Sequence, residues 1–93
     1  MRALRLDEFT TLEGQPFELV LGEHRMEFTL AGVRQLPDSG RDGGAFVLDW
    51  LGPADPVLPQ DIYTFRQGDG EYEMFIVPTG RDPNGAQYEA VFN

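Results

Sequence analysis

Phe17-Glu18-Leu19-Val20-Leu21-Gly22-Glu23-His24-Arg25-Met26-Glu27-Phe28-Thr29-Leu30 is the stretch that decides the fold. Phe17, Leu19 and Leu21 stand two residues apart, with Glu18 and Val20 between them. Met26, Phe28 and Leu30 repeat the pattern around Glu27 and Thr29, and the pattern runs on toward Val33. Side chains of an extended chain point alternately to opposite faces, so a period of two builds strands with one core face and one wet face. Gly22-Glu23-His24 supplies a tight turn between them. The segment therefore predicts an antiparallel hairpin.

The same period continues toward the C-terminus. Asp38 to Gly44 is turn chemistry throughout, with Ser39, Gly40, Arg41, Asp42 and Gly43 between. Ala45 to Leu51 predicts a third strand, with Phe46, Leu48 and Trp50 on one face and Val47 and Leu51 on the other. Pro53, Pro56 and Pro59 then forbid a paired central strand. Ile62 to Gln67 and Glu71 to Pro78 predict the fourth and fifth strands, separated by Gly68-Asp69-Gly70. In the fifth, Tyr72, Met74 and Ile76 alternate with Glu73, Phe75 and Val77. Arg81 to Gly85 reads as a loop, and Ala86 to Phe92 as a sixth strand integral to the fold. On the N-terminal side, Leu6, Phe9 and Leu12 fall at helical spacing. Asp7 can cap such a helix and Gly14 can end it, so a short helix is expected over Asp7 to Glu13, plugging one open end.

The expected fold class is all-β: about six antiparallel strands rolled into a small barrel-like sheet, with one short N-terminal helix. A two-sheet sandwich is the alternative. The 93 residues make one domain, 1–93, with no room for a second core. The aromatics Phe46, Trp50, Tyr63, Phe65, Tyr72, Phe75, Tyr88 and Phe92 fill the barrel or, in the other reading, line a ligand cavity.

Composition removes many functions. The formal charge is −9, and all seven basic residues are Arg. Such a field repels phosphate backbones and anionic lipid, so nucleic acid and membrane surfaces are not expected partners. With no Cys there are no thiolate nucleophiles or zinc-thiolate sites, and with no Lys there is no P-loop lysine or Schiff base. One His precludes a two-histidine metal site within a single chain. No apolar run is long enough to span a bilayer as a helix. The start, Met1-Arg2-Ala3-Leu4-Arg5-Leu6-Asp7-Glu8, lacks the apolar core of a secretory leader, so a cytoplasmic location is expected.

No catalytic or metal constellation assembles. Asp38, Asp42, Gly43 and Asp49 match part of a calcium-loop spacing, but Gly40 and Phe46 occupy positions that need oxygen ligands. Ser39 and His24 each sit in turns, far from the strand-to-helix elbow a serine nucleophile uses. Asp49 alone among the acids is flanked on both sides by apolar runs. It reads as a strand-face carboxylate or an ion-pair partner of an Arg, and only burial would reopen an enzymatic reading. No cofactor is expected.

Gly52-Pro53-Ala54-Asp55, Leu58-Pro59-Gln60-Asp61-Ile62-Tyr63 and the terminal Tyr88-Glu89-Ala90-Val91-Phe92-Asn93 carry a resemblance, as do Leu6-Asp7-Glu8-Phe9, Leu12, Gly14 and Phe17. Together they resemble a family of short bacterial β proteins labelled only as a domain of unknown function, loosely associated with phage-tail-collar-like genes. The resemblance implies a scaffold rather than a catalyst, since the shared positions are Gly, Pro, Leu, Tyr and Phe.

The expected function is therefore non-enzymatic: a structural or assembly protein making protein-protein contacts, accessory to a phage-tail-like particle. The alternative is a small barrel binding an apolar small molecule. The expected contact residues lie in the two long loops: Asp38, Arg41 and Asp42 in one, Pro53, Asp55, Pro56 and Gln60 in the other. An exposed sheet edge is expected to join them. The partner should be a protein with a basic surface, a tail-collar-like protein being the one the resemblance implies.

Overall fold

A computed structural model describes residues 3–93; Met1 and Arg2, part of the segment read above as lacking a leader, lie outside the described residues. Six strands form: β1 (Pro16–Leu21), β2 (His24–Gln35), β3 (Phe46–Gly52), β4 (Asp61–Gln67), β5 (Gly70–Asp82) and β6 (Gly85–Phe92). They close into a barrel in the order β1-β2-β3-β6-β5-β4, and each neighbouring pair is antiparallel. The barrel, not the sandwich, is the architecture. The founding hairpin pairs Leu21 with His24 across Gly22 and Glu23, and Phe17 with Phe28. β6 lies between β3 and β5, which makes the last strand part of the wall.

Burial follows the period of two. Phe17, Leu19, Phe28, Leu30, Phe46, Leu48, Trp50, Phe65, Ile76, Tyr88 and Ala90 all point inward and are buried. The interior is packed with rings. Trp50 stacks on Phe65 with centroids 4.4 Å apart, and Phe17 meets Trp50 edge-on at 4.8 Å. Phe28 lies 5.2 Å from Tyr88 and 5.7 Å from Phe65. The Trp50 indole N–H finds no hydrogen-bond acceptor among the described residues. Leaving it unpaired costs about 1–3 kcal/mol. Burying a large ring system returns about 4–6 kcal/mol at ~25 cal/mol per Å2, so the packing wins.

The two long strands are bent by register shifts, β2 between Leu30 and Gly32 and β5 between Pro78 and Gly80. An extra residue at such a bulge lets one strand turn to serve two neighbours. The expectation that the fifth strand stops at Pro78 is corrected here. The bulge accommodates the proline's missing N–H, and pairing resumes from Gly80 through Asp82, opposite Gly85. The turn shrinks to Pro83-Asn84.

The expected helix over Asp7 to Glu13 is also corrected. Only one turn of 3-10 helix forms, Leu6–Glu8. The Glu8 carboxylate accepts the Arg5 backbone N–H at 2.7 Å, and the chain then leaves the helix through successive turns. Seven residues are too few to hold a helix without tertiary support, and here tertiary contacts favour turns. Gly14, with φ of 85°, donates its N–H to Leu30 O and steers the chain into β1. The segment still plugs one mouth: Leu4 and Phe9 are buried, Phe9 against Tyr72 and Phe46.

β3 and β4 lie on opposite sides of the ring, so their connection must cross the other mouth. Leu58 is the buried residue of that crossing. Among the described residues no helix is long and apolar enough to cross a membrane.

One close approach in the wall is at Gly52, whose missing Cβ would stand 2.6 Å from Cζ of Phe28. Gly52→Ala should therefore cost about 1–3 kcal/mol by overpacking. In a Phe28→Leu background, where the ring is gone, the same change should cost markedly less. Chemical denaturation of the four proteins in the double-mutant cycle checks this.

Candidate functional site

The two loops singled out by sequence lie at opposite ends of β3. A seven-residue strand separates them by about 20 Å at ~3.3 Å per residue. They do not form one site.

At the first end, most side chains hold the fold. Asp38 Oδ1 accepts the Gly40 N–H at 2.9 Å, closing its own turn. Asp42, almost fully exposed, accepts a hydrogen bond from the Arg5 guanidinium at 3.3 Å. Arg41 donates from one guanidinium nitrogen to Leu4 O, Asp42 O and Gly44 O, and its head lies over the rings of Phe46 and Phe92. That combination ties the N-terminal segment to the barrel rim. Ser39 and His24 are exposed on different elements.

At the other end, Asp55, Pro56 and Gln60 are exposed and Pro53 is half-buried; Asp55-Pro56 is a cis peptide. Two tyrosines anchor the loop from beneath. Tyr88 Oη accepts the Leu58 N–H at 2.8 Å, and Tyr63 Oη donates to Pro59 O at 2.7 Å. Burial, then the negative charge of Asp61, then Tyr88 push the Tyr63 hydroxyl above the ordinary tyrosine range.

The acids of the partial calcium spacing are dispersed. Asp49 faces outward from β3 and takes two hydrogen bonds from Arg34, at 2.8 and 2.9 Å. Arg34 also donates to Glu89 at 3.1 Å, so one guanidinium spans β2, β3 and β6. Asp49 first, and Glu89 after it, raise the Arg34 pKa further. This is the ion-pair reading of Asp49. Among the described residues no three His, Asp or Glu side chains gather as a metal site.

The feature the loop-centred reading missed is on the outer wall. Ile62, Phe75 and Val91 are each about half exposed: 48%, 49% and 53%. Ile62 pairs with Phe75 across β4 and β5, and Val91 pairs with Val47 across β6 and β3. Phe75 and Val91 line one groove of about 380 Å3, so the apolar row is continuous around a third of the barrel or more. Phe75, expected among the interior aromatics, is thus corrected to the outside: it shares the parity of Glu73 and Val77, opposite to buried Met74 and Ile76.

The groove follows from the ladder. Pairing of β5 with β6 begins at Val77 and Glu89 and runs to Asp82 and Gly85. Below it, Glu71 to Ile76 pair with β4, and Ala90 to Phe92 pair with β3. Between these stretches half-buried Phe92 comes to the surface beside Phe75 and Val91, over buried Met74, with Ala3, Leu4 and Arg41 closing the lower end. The free, exposed sheet edge expected from sequence is corrected accordingly: every strand has a paired neighbour on each side over part of its length, and the one-sided stretches Glu73 to Ile76 of β5 and Ala90 to Phe92 of β6 form the seam that closure leaves open.

Two larger grooves, of about 570 and 550 Å3, are poorer in exposed apolar surface. The first is lined mainly by Glu18, Arg25, Glu27, Arg66 and the β4–β5 turn, with Met26 its half-buried apolar member. The second lies between Ala54-Asp55 and Arg81-Asp82-Pro83.

A family profile described as "Domain of unknown function (DUF6916)" matches residues 4–92, and the chain belongs to that family. No curated protein and no solved structure matches the chain.

The Tyr63 anchor yields a pH dependence. Its folded pKa is raised, so its contribution to stability is complete below the unfolded tyrosine value of about 10. That contribution is lost as pH rises from there through the folded pKa. Denaturation midpoints between pH 8 and 11 should fall for the native chain, and fall less steeply for Tyr63→Phe.

Proposed function

We propose that this member of the family is a non-enzymatic docking protein that makes its protein-protein contact with the outer wall of the barrel. The observation carrying the proposal is the row Ile62, Phe75, Val91, left half exposed on a chain whose other phenylalanines are buried or half-buried. Contiguous exposed apolar residues ringed by polar ones are the usual mark of an interaction surface. The ring here is acidic: Glu73 and Glu89 flank the row along their strands, and Asp61 precedes Ile62. A partner with Lys or Arg around an apolar contact complements it, and the net charge speeds that encounter.

The interior favours this reading over a ligand-binding barrel. Rings from β1, β2, β3, β4 and β6 meet at its centre, as small barrels commonly fill themselves with side chains. A role in a phage-tail-like particle rests on the sequence resemblance, as does a tail-collar-like partner. Cytoplasmic residence belongs to the same proposal.

Isolation of the chain from its own cells at low ionic strength tests the reading. The expected result is a stoichiometric protein partner that is released as salt screens the acidic rim. Ile62→Asp and Phe75→Asp should abolish co-isolation while the chain stays folded. A chain that carries a small molecule and no protein contradicts the proposal.

A further inference from the structure

The wall offers one place shaped for a specific kind of contact. The groove between β5 and β6 runs along the strands, bounded by Glu73, Met74 and Phe75 on one side and Val91 and Phe92 on the other. On its β5 side, the stretch from Glu73 to Ile76 has β4 as its strand neighbour, and the β5–β6 ladder begins only at Val77. A strand flank of this kind accepts another extended chain, whose side chains then alternate between groove and solvent.

We propose that this groove docks an extended segment of a protein partner in which apolar residues are flanked by Lys or Arg. The inference rests on the docking function proposed above and names the site and the chemistry of its ligand. Size points to a segment rather than a domain. Three half-exposed side chains present far less apolar surface than the ~800 Å2 per partner of a stable globular interface.

Charge selects the occupant. Glu73 is exposed at the groove and has no ion-pair partner among the described residues. The cation at the lower end, Arg41, is spent on Leu4 O and Gly44 O. A basic side chain beside an apolar one would therefore meet Glu73 while the apolar one covers Phe75 and Val91. A second copy is disfavoured, because stacking two such rims brings Glu73 and Glu89 toward carboxylates on a chain that also carries −9.

The probe is a blocked seven-residue peptide, Lys-Val-Thr-Phe-Thr-Val-Lys, titrated at low salt into the isotopically labelled full chain and followed by amide chemical shifts. A control peptide carries Glu in place of both Lys. The expected result is that the Lys peptide shifts the amides of Glu73 to Phe75 and of Val91 and Phe92. Glu flanks, Glu73→Lys or Phe75→Thr should each weaken it by about tenfold. Each substitution is on the surface, and an unchanged spectrum elsewhere reports the intact fold. Shifts confined to the loops, equal binding of the Glu peptide, or no shifts at all overturn the inference. So does a dimer in sedimentation that Phe75→Thr dissolves, which would make the occupant a second copy. If wall substitutions abolish co-isolation of the native partner but the peptide misses the groove, the docking function stands and this inference alone fails.

Discussion

Trp50 of β3 stacked on Phe65 of β4 is the contact on which the rest depends. The two strands stand opposite each other in the six-membered ring, so this one stack spans the barrel. Phe17 and Phe28 brace it from β1 and β2. A chain of this length buries a modest share of its surface, and rings supply the most apolar area per residue. Filling the bore with them stabilises a closed wall, and it also leaves chemistry and recognition to the outside.

Closure makes demands at the two mouths. One is plugged by Leu4 and Phe9, held by Arg41 across the rim; the other is crossed by the proline-rich connection, anchored through Leu58, Tyr63 and Tyr88. The loops that look free in the sequence are thus partly committed to the fold. What is left uncommitted is the strip of outer wall where the β5–β6 ladder stops and Phe75 and Val91 face solvent.

The strands were legible because burial imposes a period of two on most of them, β3 departing from it where Phe46, Val47 and Leu48 are buried in succession, and Gly and Pro mark nearly every boundary. The exceptions have local causes. The bulge after Pro78 carries β5 four residues beyond the proline, something no propensity announces. Leu6, Phe9 and Leu12 have helical spacing, yet a plug of one 3-10 turn buries Phe9 just as well. The wall was half legible: Phe75 alternates with Glu and lies on the polar face of its strand, and Val91 is likewise out of phase with Tyr88, Ala90 and Phe92. That they adjoin depends on the register of β4, β5 and β6, which strand periodicity leaves open. The pairing of Asp49 with Arg34 and Glu89 was equally hidden, since it joins three strands distant in sequence.

The central claim is that Ile62, Phe75 and Val91 serve contact rather than folding. The unfolding free energy of the triple variant Ile62→Thr, Phe75→Thr, Val91→Thr tests it most directly, because Thr keeps strand propensity while removing the apolar surface. The account predicts a stability within about 1 kcal/mol of the native chain, as for surface positions generally. A loss of about 3 kcal/mol or more, the scale of core truncations, would show that the row holds the barrel together and would contradict it.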